Sequence, residues 1–500
     1  MGIQARPLHI FFFPLMAHGH TIPMVDIARL FAARGTKSTI ITTHSNSLHF
    51  AGAIERDRKA GLDIQVQIIR FPSVEAGLPK GVENVNSITS PEMVMNFLRG
   101  VNMLQEPFEK LLEEHRPDCV VADMFLIWTT EISKKYQIPR LVFHGMNYFS
   151  PVVDGNLKKF APHLNVKSDS EIFVVPDLPD RIEMSRSQMP DSKTQIPEIL
   201  DKIQETELES FGVLVNSFYD MEPAYAEYYR NQLGRRAWEV GPVSLYNRSL
   251  LDKTQRGKKS TIDENYCLKW LDTKEKGSVL YLSFGTISRF GKPQLREIAN
   301  GLEAANVSFI WVVRLLKDDE ESNFLPQGFE ERMEGKGLVI KEWAPQVLIL
   351  DHPAVGGFMT HCGWNSAVEG ICAGLPLITW PLSAEQFNNE NFVTQLLKIG
   401  IKAGNDVWKL WVEPEDVLVR SDRIEEVVTE LMGNGKEAQE RRSRARKLAE
   451  MAKKAVEEGG SSYNNITNLI EELKAHSQSV NQANKQVQVQ VQVPGPALAF

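Results

Sequence analysis

The stretch WAPQVLILDHPAVGGFMTHCGWNSAVEGICAGLPLITWPLSAEQ, residues 343–386, carries the strongest structural signal in this 500-residue chain. Within it an apolar run, residues 355–359, leads into a Gly-bearing turn, and a helix is predicted from Trp364. A strand, a turn and a helix in this order are typical of a doubly wound α/β domain, whose buried strands are uniformly apolar. Because a helix N-terminus exposes free N–H groups and a partial positive charge, the turn predicts a site for an anion such as a diphosphate.

The same pattern begins twice more along the chain. An apolar strand over residues 8–14 is followed by a polar turn, a helix and a second strand over residues 38–42. The pattern returns with strands over residues 278–284 and 308–313, again on either side of a predicted helix. Because 500 residues exceed what a single core usually holds, two repeats so far apart predict two doubly wound α/β domains.

Polar segments of low periodicity mark the boundaries between these units. We predict an N-terminal domain over residues 1–243, a linker over 244–264, a C-terminal domain over 265–458, a last helix within 459–476 and a disordered tail over 477–500. The tail is polar and of low complexity, which favours disorder. Its alternation of Val and Gln leaves a strand edge as the alternative interpretation.

Composition narrows the classes of partner. The net charge of −8, from 56 basic and 64 acidic residues, leaves no basic surplus for nucleic acid, and we expect no such partner. Four scattered cysteines without a CxxC pair indicate reduced thiols and a cytoplasmic protein. His9 and Pro14 interrupt the first apolar run, which argues against a signal peptide. Since a membrane helix needs about 20 apolar residues, no integral membrane segment is expected, and we expect a monomer.

Side chains that suit a nucleotide cluster around the predicted helix N-terminus. Trp343 offers a flat face for a base, and Gln346 offers an amide for the polar edge of that base. Hydrogen-bond donors at the helix N-terminus come from His361, Asn365 and Ser366. Each of these residues taken singly is more often a packing residue or part of an ordinary turn. Their joint spacing favours a nucleotide site.

Three acidic and amide side chains extend this site. Glu369 lies one helical turn beyond Asn365 and Ser366 on the same face, where a carboxylate can accept from ribose hydroxyls. Glu385 and Gln386 follow the next predicted strand at its carboxyl end, where open α/β sheets bind ligands. An acid beside an amide suits sugar hydroxyls, so the stretch predicts a nucleotide-sugar site.

Over all 44 of its residues the stretch resembles the signature box of plant family-1 UDP-dependent glycosyltransferases. The W-A-P-Q start, the T-H-C-G-W-N-S centre, Glu369 and the final E-Q stand at the family's positions. Further family features are GHTIP at 19–23, VAD at 121–123, KWLD at 269–272 and LSFGT at 282–286. The resemblance spans roughly residues 7–475. It implies a GT-B fold, with two facing Rossmann-like doubly wound domains, the acceptor in the first, the donor in the second, and a last helix that braces the N-terminal domain.

The resemblance assigns the donor site residue by residue. Trp343 and Ala344 lie at the uracil, Gln346 bonds the edge of the base and Glu369 holds the ribose. The diphosphate falls to His361, Asn365 and Ser366 with help from Thr286, and the sugar falls to Trp364, Glu385 and Gln386. The UDP-sugar is a co-substrate, and no cofactor or metal is expected; the chain contains no Asp-x-Asp motif for a metal-bound diphosphate.

A candidate catalytic pair lies in the N-terminal half. His20 follows the first predicted strand and Asp123 ends another, so both lie at carboxyl ends of strands. A carboxylate can orient the imidazole and stabilise its cation. The family's catalytic His and Asp fall on these positions, which implies an inverting displacement with His20 as the base. The alternatives are a metal site at His18 and His20, and a surface role for Asp123.

The acceptor is less defined by the sequence. Aromatic and Met side chains suited to a bulky lipophilic acceptor are Met16, Met124, Phe125, Met146, Tyr148 and Phe149, with core packing as the alternative. The chain resembles the subgroup that acts on flavonoids, triterpenoids and saponins. Gln386 favours UDP-glucose by analogy with the family, whereas Met146 departs from the hydroxyl residue that many relatives carry there.

Two other functions fit the same architecture. One is a UDP-sugar epimerase of GT-B shape, and the other is a non-catalytic protein that binds a UDP-sugar or another small molecule. The presence of both His20 and Asp123 argues against the second. A nicotinamide dehydrogenase is disfavoured because no GxGxxG follows either opening strand.

Overall fold

The structure, a computed structural model, describes residues 6–190, 196–258, 262, 264–314 and 324–492. Its strands are β1 (His9–Phe13), β2 (Lys37–Thr42), β3 (Ile64–Ile68), β4 (Cys119–Asp123), β5 (Arg140–Phe143), β6 (Ile172–Val174), β7 (Glu183–Ser185), β8 (Gly212–Val215), β9 (Ala237–Glu239), β10 (Val279–Ser283), β11 (Ser308–Val313), β12 (Gly337–Lys341), β13 (Val355–Thr360), β14 (Leu377–Thr379) and β15 (Gly400–Lys402).

Helices surround these strands. They are α1 (His18–Ala33), α2 (His44–Ser47), α3 (Ala51–Lys59), α4 (Pro91–Asn102), α5 (Gln105–His115), α6 (Thr129–Lys135), α7 (Phe149–Phe160), α8 (Ile196–Leu208), α9 (Pro223–Asn231), α10 (Leu250–Thr254), α11 (Glu264–Asp272), α12 (Lys292–Ala305), α13 (Phe329–Arg332), α14 (Gln346–Leu350), α15 (Trp364–Cys372), α16 (Gln386–Asn391), α17 (Ser421–Met432), α18 (Lys436–Val456) and α19 (Ser461–Gln492).

Two parallel sheets organise the molecule. The first has the order β3-β2-β1-β4-β5-β8-β9 and the second the order β12-β11-β10-β13-β14-β15, while β6 and β7 form a separate antiparallel pair. In each sheet the strand order reverses beside the first strand, between β1 and β4 and between β10 and β13. Ligands of open α/β sheets bind outside the carboxyl ends of the strands at this switch point. The predicted pair of doubly wound units is confirmed.

The apolar runs of the sequence form the central strands because both faces of each sheet are covered. All five residues of β1 are buried, with Ile10 and Phe12 in one apolar cluster and Phe11 and Phe13 in another. This split follows from the alternation of side chains along a strand. Burying each such side chain stabilises the fold by about 1.5–3 kcal/mol, so the strand anchors the turn that follows it.

The last helix returns to the first sheet. Ile466, Leu469, Ile470 and Leu473 of α19 are buried in the same cluster as Trp238 of β9. Their spacing places them on one helix face. The helix therefore ties the C-terminal end of the chain to the N-terminal core.

The prediction of disorder from residue 477 is wrong for residues 477–492, because α19 continues to Gln492. The chain contains neither Gly nor Pro between Gly460 and Pro494, so no helix breaker interrupts the polar sequence. Composition alone cannot distinguish a polar helix from a polar coil. Residues 493–500 lie outside the described residues.

The predicted linker packs on the first domain. It contains α10, whose first turn is capped by the Ser249 hydroxyl accepting from the Asp252 N–H at 3.0 Å. Arg29 of α1 donates to Asp252 at 3.0 Å and to Asn247 at 2.8 Å. Polar side chains of the predicted linker therefore contact α1. Residues 259–261 and 263 of this stretch lie outside the described residues.

The two halves contact each other across the cleft. Phe149 of α7 packs against Phe392 with ring centroids 5.2 Å apart, and Asn388 donates to Asp154 at 2.8 Å. The interface thus combines apolar packing with hydrogen bonds near the carboxyl ends of both sheets. Across the described ranges, the structure has no helix that is both long and apolar enough to cross a membrane.

Candidate active site

The fold brings His20 and Asp123 together. His20 lies in the first turn of α1, directly after β1, and Asp123 is the last residue of β4. Because β1 and β4 are adjacent parallel strands, their carboxyl ends meet at the switch point of the first sheet. His20 Nδ1 lies 2.7 Å from Asp123 Oδ2 across a sequence separation of 103 residues. The predicted pair is therefore in direct contact.

The surroundings of this pair favour a histidine base. Asp123 is fully buried, and its second oxygen accepts from the Phe125 N–H at 3.1 Å. Burial of His20 disfavours the imidazolium, but the charge and hydrogen bond of Asp123, with a smaller contribution from Glu385, raise the pKa of His20. A carboxylate only accepts, so His20 Nδ1 donates to it and Nε2 remains free of its proton in the neutral ring.

His18 and His20 do not share one site. His18 Nδ1 contacts the Asn86 side chain, whereas His20 contacts Asp123. Among the described residues no group of three or more His, Cys, Asp or Glu side chains is arranged to hold a metal ion. The two histidines therefore have separate partners.

The N-terminus of α15 lies at the switch point of the second sheet. β13 ends at Thr360, and the helix begins at Trp364 after the cap residue Gly363, which offers no capping side chain. The His361 ring lies between Gly285 and Gly363, where a Cβ at either position would clash with it. Burial and then the nearby Arg314 lower the pKa of His361 to about 4, so the ring is neutral at pH 7 and donates one hydrogen.

Hydrogen bonds link the predicted diphosphate residues to the first domain. The Thr286 carbonyl accepts from Asn86 at 2.8 Å and from Arg314 at 2.7 Å. Asn365 at the start of α15 donates to the carbonyl of Gly19, the neighbour of His20. The start of α15 and the turn that carries His20 are therefore held against one another.

Residues predicted for the nucleoside form a second cluster along α15. Gln346 Nε2 donates to Glu369 at 2.7 Å and to Ser366 at 3.2 Å. Trp343 is half-buried, with the His18 ring 5.4 Å from its own, and Ala344 is buried beside it. Gln346 therefore joins the residue predicted for the ribose to a residue in the first turn of α15.

Of the predicted sugar residues, Glu385 is the one whose charge acts on His20. Glu385 accepts from the Trp364 N–H at 3.4 Å, burial raises the pKa of its carboxyl, and its charge acts on His20. The Gln386 carbonyl accepts from two backbone N–H groups at 2.8 and 3.1 Å, which leaves its NH₂ as a donor. The Trp364 ring is buried and donates to the Asn216 carbonyl at 2.8 Å, so its indole is a core group.

The predicted acceptor residues divide into two groups. Phe125 and Met146 are half-buried, and the Phe125 ring lies edge-on to the His20 ring at 5.7 Å. The other four are buried, namely Met16, Met124, Tyr148 and Phe149. Tyr148 and Phe149 have no exposed surface and pack in the core, which is the alternative that the sequence left open for them. Tyr148 precedes α7 and Phe149 begins it, and their rings pack against Tyr229 and Tyr225 of α9.

Several polar residues at the site were not predicted from the sequence. Asn86 and Asn216 reach it from loops of the first domain, and Arg256 reaches it from the predicted linker. None of them lies in a motif or on a periodic face. Their positions depend on how the two halves meet, which local sequence does not specify.

Comparisons with known proteins agree with this geometry. Residues 264–400 match the family model described as UDP-glucoronosyl and UDP-glucosyl transferase. The chain is 49% identical over 475 residues to a scopoletin glucosyltransferase of Nicotiana tabacum, covering 94% of this chain and 98% of the relative. It is 48% identical over 478 residues to an anthocyanin 3'-O-beta-glucosyltransferase of Gentiana triflora, covering 94% and 99%.

A solved structure extends the match to three dimensions. UGT73P12 of Glycyrrhiza uralensis, complexed with glycyrrhetinic acid 3-O-monoglucuronide, superposes with a TM-score of 0.90 at 40% identity, covering 97% of this chain and 99% of that one. The prediction of a GT-B fold is confirmed. These relatives lend no support to the epimerase alternative.

Proposed function

The chain belongs to the plant UDP-dependent glycosyltransferases, and on this premise we propose that it transfers glucose from UDP-glucose to a hydroxyl of a lipophilic plant secondary metabolite. The observation that carries the proposal is the His20–Asp123 contact of 2.7 Å, beside the sugar end of the donor site. It supplies a base where the acceptor and the anomeric carbon must meet.

The proposed reaction is a single displacement. His20 Nε2 takes the proton of the acceptor hydroxyl while the hydroxyl oxygen attacks the anomeric carbon. The bond between that carbon and the β-phosphate oxygen breaks, and UDP leaves with the bonding electrons. Because attack occurs opposite the leaving group, an α-linked donor gives a β-glycoside. Asp123 stabilises the imidazolium that forms, and it orients the ring without taking the proton itself.

The N-terminus of α15 stabilises the leaving group. Free N–H groups of its first turn and the partial positive charge of the helix end favour the charge that develops on the diphosphate. Neutral His361 and the Asn365 amide each add a hydrogen to donate. An approaching diphosphate also raises the pKa of His361 from its low value of about 4, since negative charge favours the imidazolium.

Glucose is the proposed sugar because Gln386 offers an NH₂ donor, and the neighbouring Glu385 offers a carboxylate acceptor whose charge acts on His20. Lipophilic acceptors are proposed because the Phe125 ring packs on the His20 ring, and Met146 of the predicted acceptor residues is half-buried. Relatives named for scopoletin and anthocyanin support a phenolic acceptor, and the complex with a glycyrrhetinic acid glucuronide supports a triterpenoid. A monomeric state and a cytoplasmic location remain predictions.

The experiment is a matrix of UDP-glucose, UDP-galactose and UDP-glucuronic acid against a flavonoid, a triterpenoid and a simple phenol, read by product mass. We expect the UDP-glucose row to give the fastest formation of an acceptor carrying one hexosyl unit. A faster UDP-glucuronic acid row would contradict the assignment of glucose. Each donor is also incubated alone, and conversion of UDP-glucose to another UDP-sugar without acceptor would indicate an epimerase.

A further inference from the structure

A segment of the linker, residues 255–258, lies across the nucleoside end of the donor site. Arg256 is placed between two carboxylates from different halves of the molecule. Its Nε donates to Asp26 of α1 at 2.8 Å, and its Nη1 donates to Glu369 of α15. The three side chains are only 10%, 4% and 6% exposed, so the ion pairs are shielded from water.

The next residue places the backbone against the indole predicted to face the base. Gly257 has φ 101°, in the left-handed region, and a Cβ there would clash with the Trp343 ring. Glycine is the residue that meets both conditions. Residues 256 and 257 thus contact the two groups predicted to hold the ribose and the uracil.

Both carboxylate oxygens of Glu369 already accept a hydrogen bond. Oε1 accepts from Arg256 and Oε2 accepts from Gln346 at 2.7 Å. A ribose diol binds a carboxylate by donating its hydroxyl hydrogens, which is the interaction that the guanidinium already makes. Hydrogen bonds from a charged donor are stronger than those from a hydroxyl. Because the ribose hydroxyls donate to the same carboxylate, the guanidinium and the ribose compete for Glu369.

We propose that Arg256 is an internal competitor of the UDP-sugar, whose guanidinium occupies the ribose-binding carboxylate of the donor-free chain and thereby sets the affinity for the donor. The inference rests on the proposed donor site. Displacement leaves Arg256 paired with Asp26, so the guanidinium does not lose both partners at once. Because only the fraction of chains with Glu369 released binds donor, the apparent Kd equals the intrinsic Kd divided by that fraction.

The test is calorimetric titration of UDP into the full chain without acceptor, comparing the parent protein with Arg256→Gln and Lys253→Gln. Lys253 is the matched control because it lies in the same linker and forms an ion pair with Asp351 at 2.7 Å. Both variants lose one positive charge, which by itself weakens binding of anionic UDP. If the segment occupies the site about 90% of the time, Arg256→Gln binds UDP about tenfold more tightly, and Lys253→Gln does not bind more tightly.

A second variant tests the same idea through the backbone. Gly257→Ala cannot seat the segment against Trp343 and is expected to tighten UDP binding in the same direction, so the inference stays testable if Arg256→Gln fails to fold. UDP binding that is unchanged or weaker in the folded variants, while the parent protein binds UDP, overturns the inference alone. If the parent protein binds no UDP, the proposed donor site fails with it.

Discussion

Replacing His20 by Ala is expected to lower kcat for sugar transfer about a thousandfold, because general base catalysis contributes roughly a hundred- to ten-thousandfold and the ring also forms part of the acceptor site. His20 holds no part of the nucleoside cluster, so the Kd for UDP is expected to remain within about twofold of the parent value, a free-energy change well below 1 kcal/mol. The measurements are steady-state transfer to a phenolic acceptor and calorimetric titration of UDP.

His115→Ala is the matched control for this prediction. His115 ends α5 and lies beside His9, the first residue of β1, with ring centroids 6.5 Å apart. It therefore lies at the opposite end of that strand from His20. The control is expected to keep the parent rate. Transfer by His20→Ala at more than a tenth of the parent rate would show that another group takes the proton.

Replacing Asp123 by Asn is expected to lower kcat/KM about a hundredfold or more and to change its pH dependence. The amide no longer stabilises the imidazolium, and its NH₂ can donate to Nδ1, which selects the tautomer with the proton on Nε2. That tautomer cannot accept a proton from the acceptor hydroxyl. The loss therefore combines a missing charge with a misplaced proton.

The direction of the pH effect follows from the pKa of His20. Asp123 raises that pKa against the opposing effect of burial, and the base acts in its neutral form, so the parent enzyme loses activity as the pH falls through the raised value. Without the carboxylate the pKa falls, and the remaining activity persists to lower pH. The measurement is kcat/KM against pH for both proteins. If kcat/KM of Asp123→Asn fell with decreasing pH at the same midpoint as in the parent enzyme, the role of the carboxylate would be contradicted.

Asp118→Asn provides the control on the same strand. Asp118 precedes β4 at its other end and accepts from Arg6 and from the His9 N–H, both at 2.9 Å. Its replacement is expected to lower stability, while the pH profile of kcat/KM keeps the parent midpoint. Thermal unfolding of both variants separates a loss of fold from a loss of catalysis.

The turn before α15 was predictable from sequence because the residues that form it are close together in the chain. His361, Asn365 and Ser366 lie within six residues of one another at a single helix N-terminus, so the pattern itself brings them together. The strands of both sheets were predictable for a similar reason, since burial on two faces requires uniformly apolar runs. The contact of His20 with Asp123 differs, because it depends on the pairing of β1 with β4. The two residues were paired on the basis of the family resemblance, because their spacing along the chain does not indicate that they are in contact.

The remaining features arise from tertiary contacts. Arg256 reaches Glu369 only because the linker folds back on α1, and its sequence surroundings are those of any polar connector. Tyr148 and Phe149 carry the chemistry of a pocket wall, but the register of α7 buries them. The long α19 shows the converse, since a polar stretch without breakers forms a helix that its composition does not reveal.

The central step of the proposed reaction is a one-step displacement in which His20 activates the acceptor against an α-linked UDP-sugar. The most direct measurement is the anomeric configuration of the first product formed from UDP-glucose and a phenolic acceptor, determined by nuclear magnetic resonance before any product is recycled. We predict a β-glucoside only. An α-glucoside would contradict the account, because retention of configuration requires a different route from attack opposite the diphosphate.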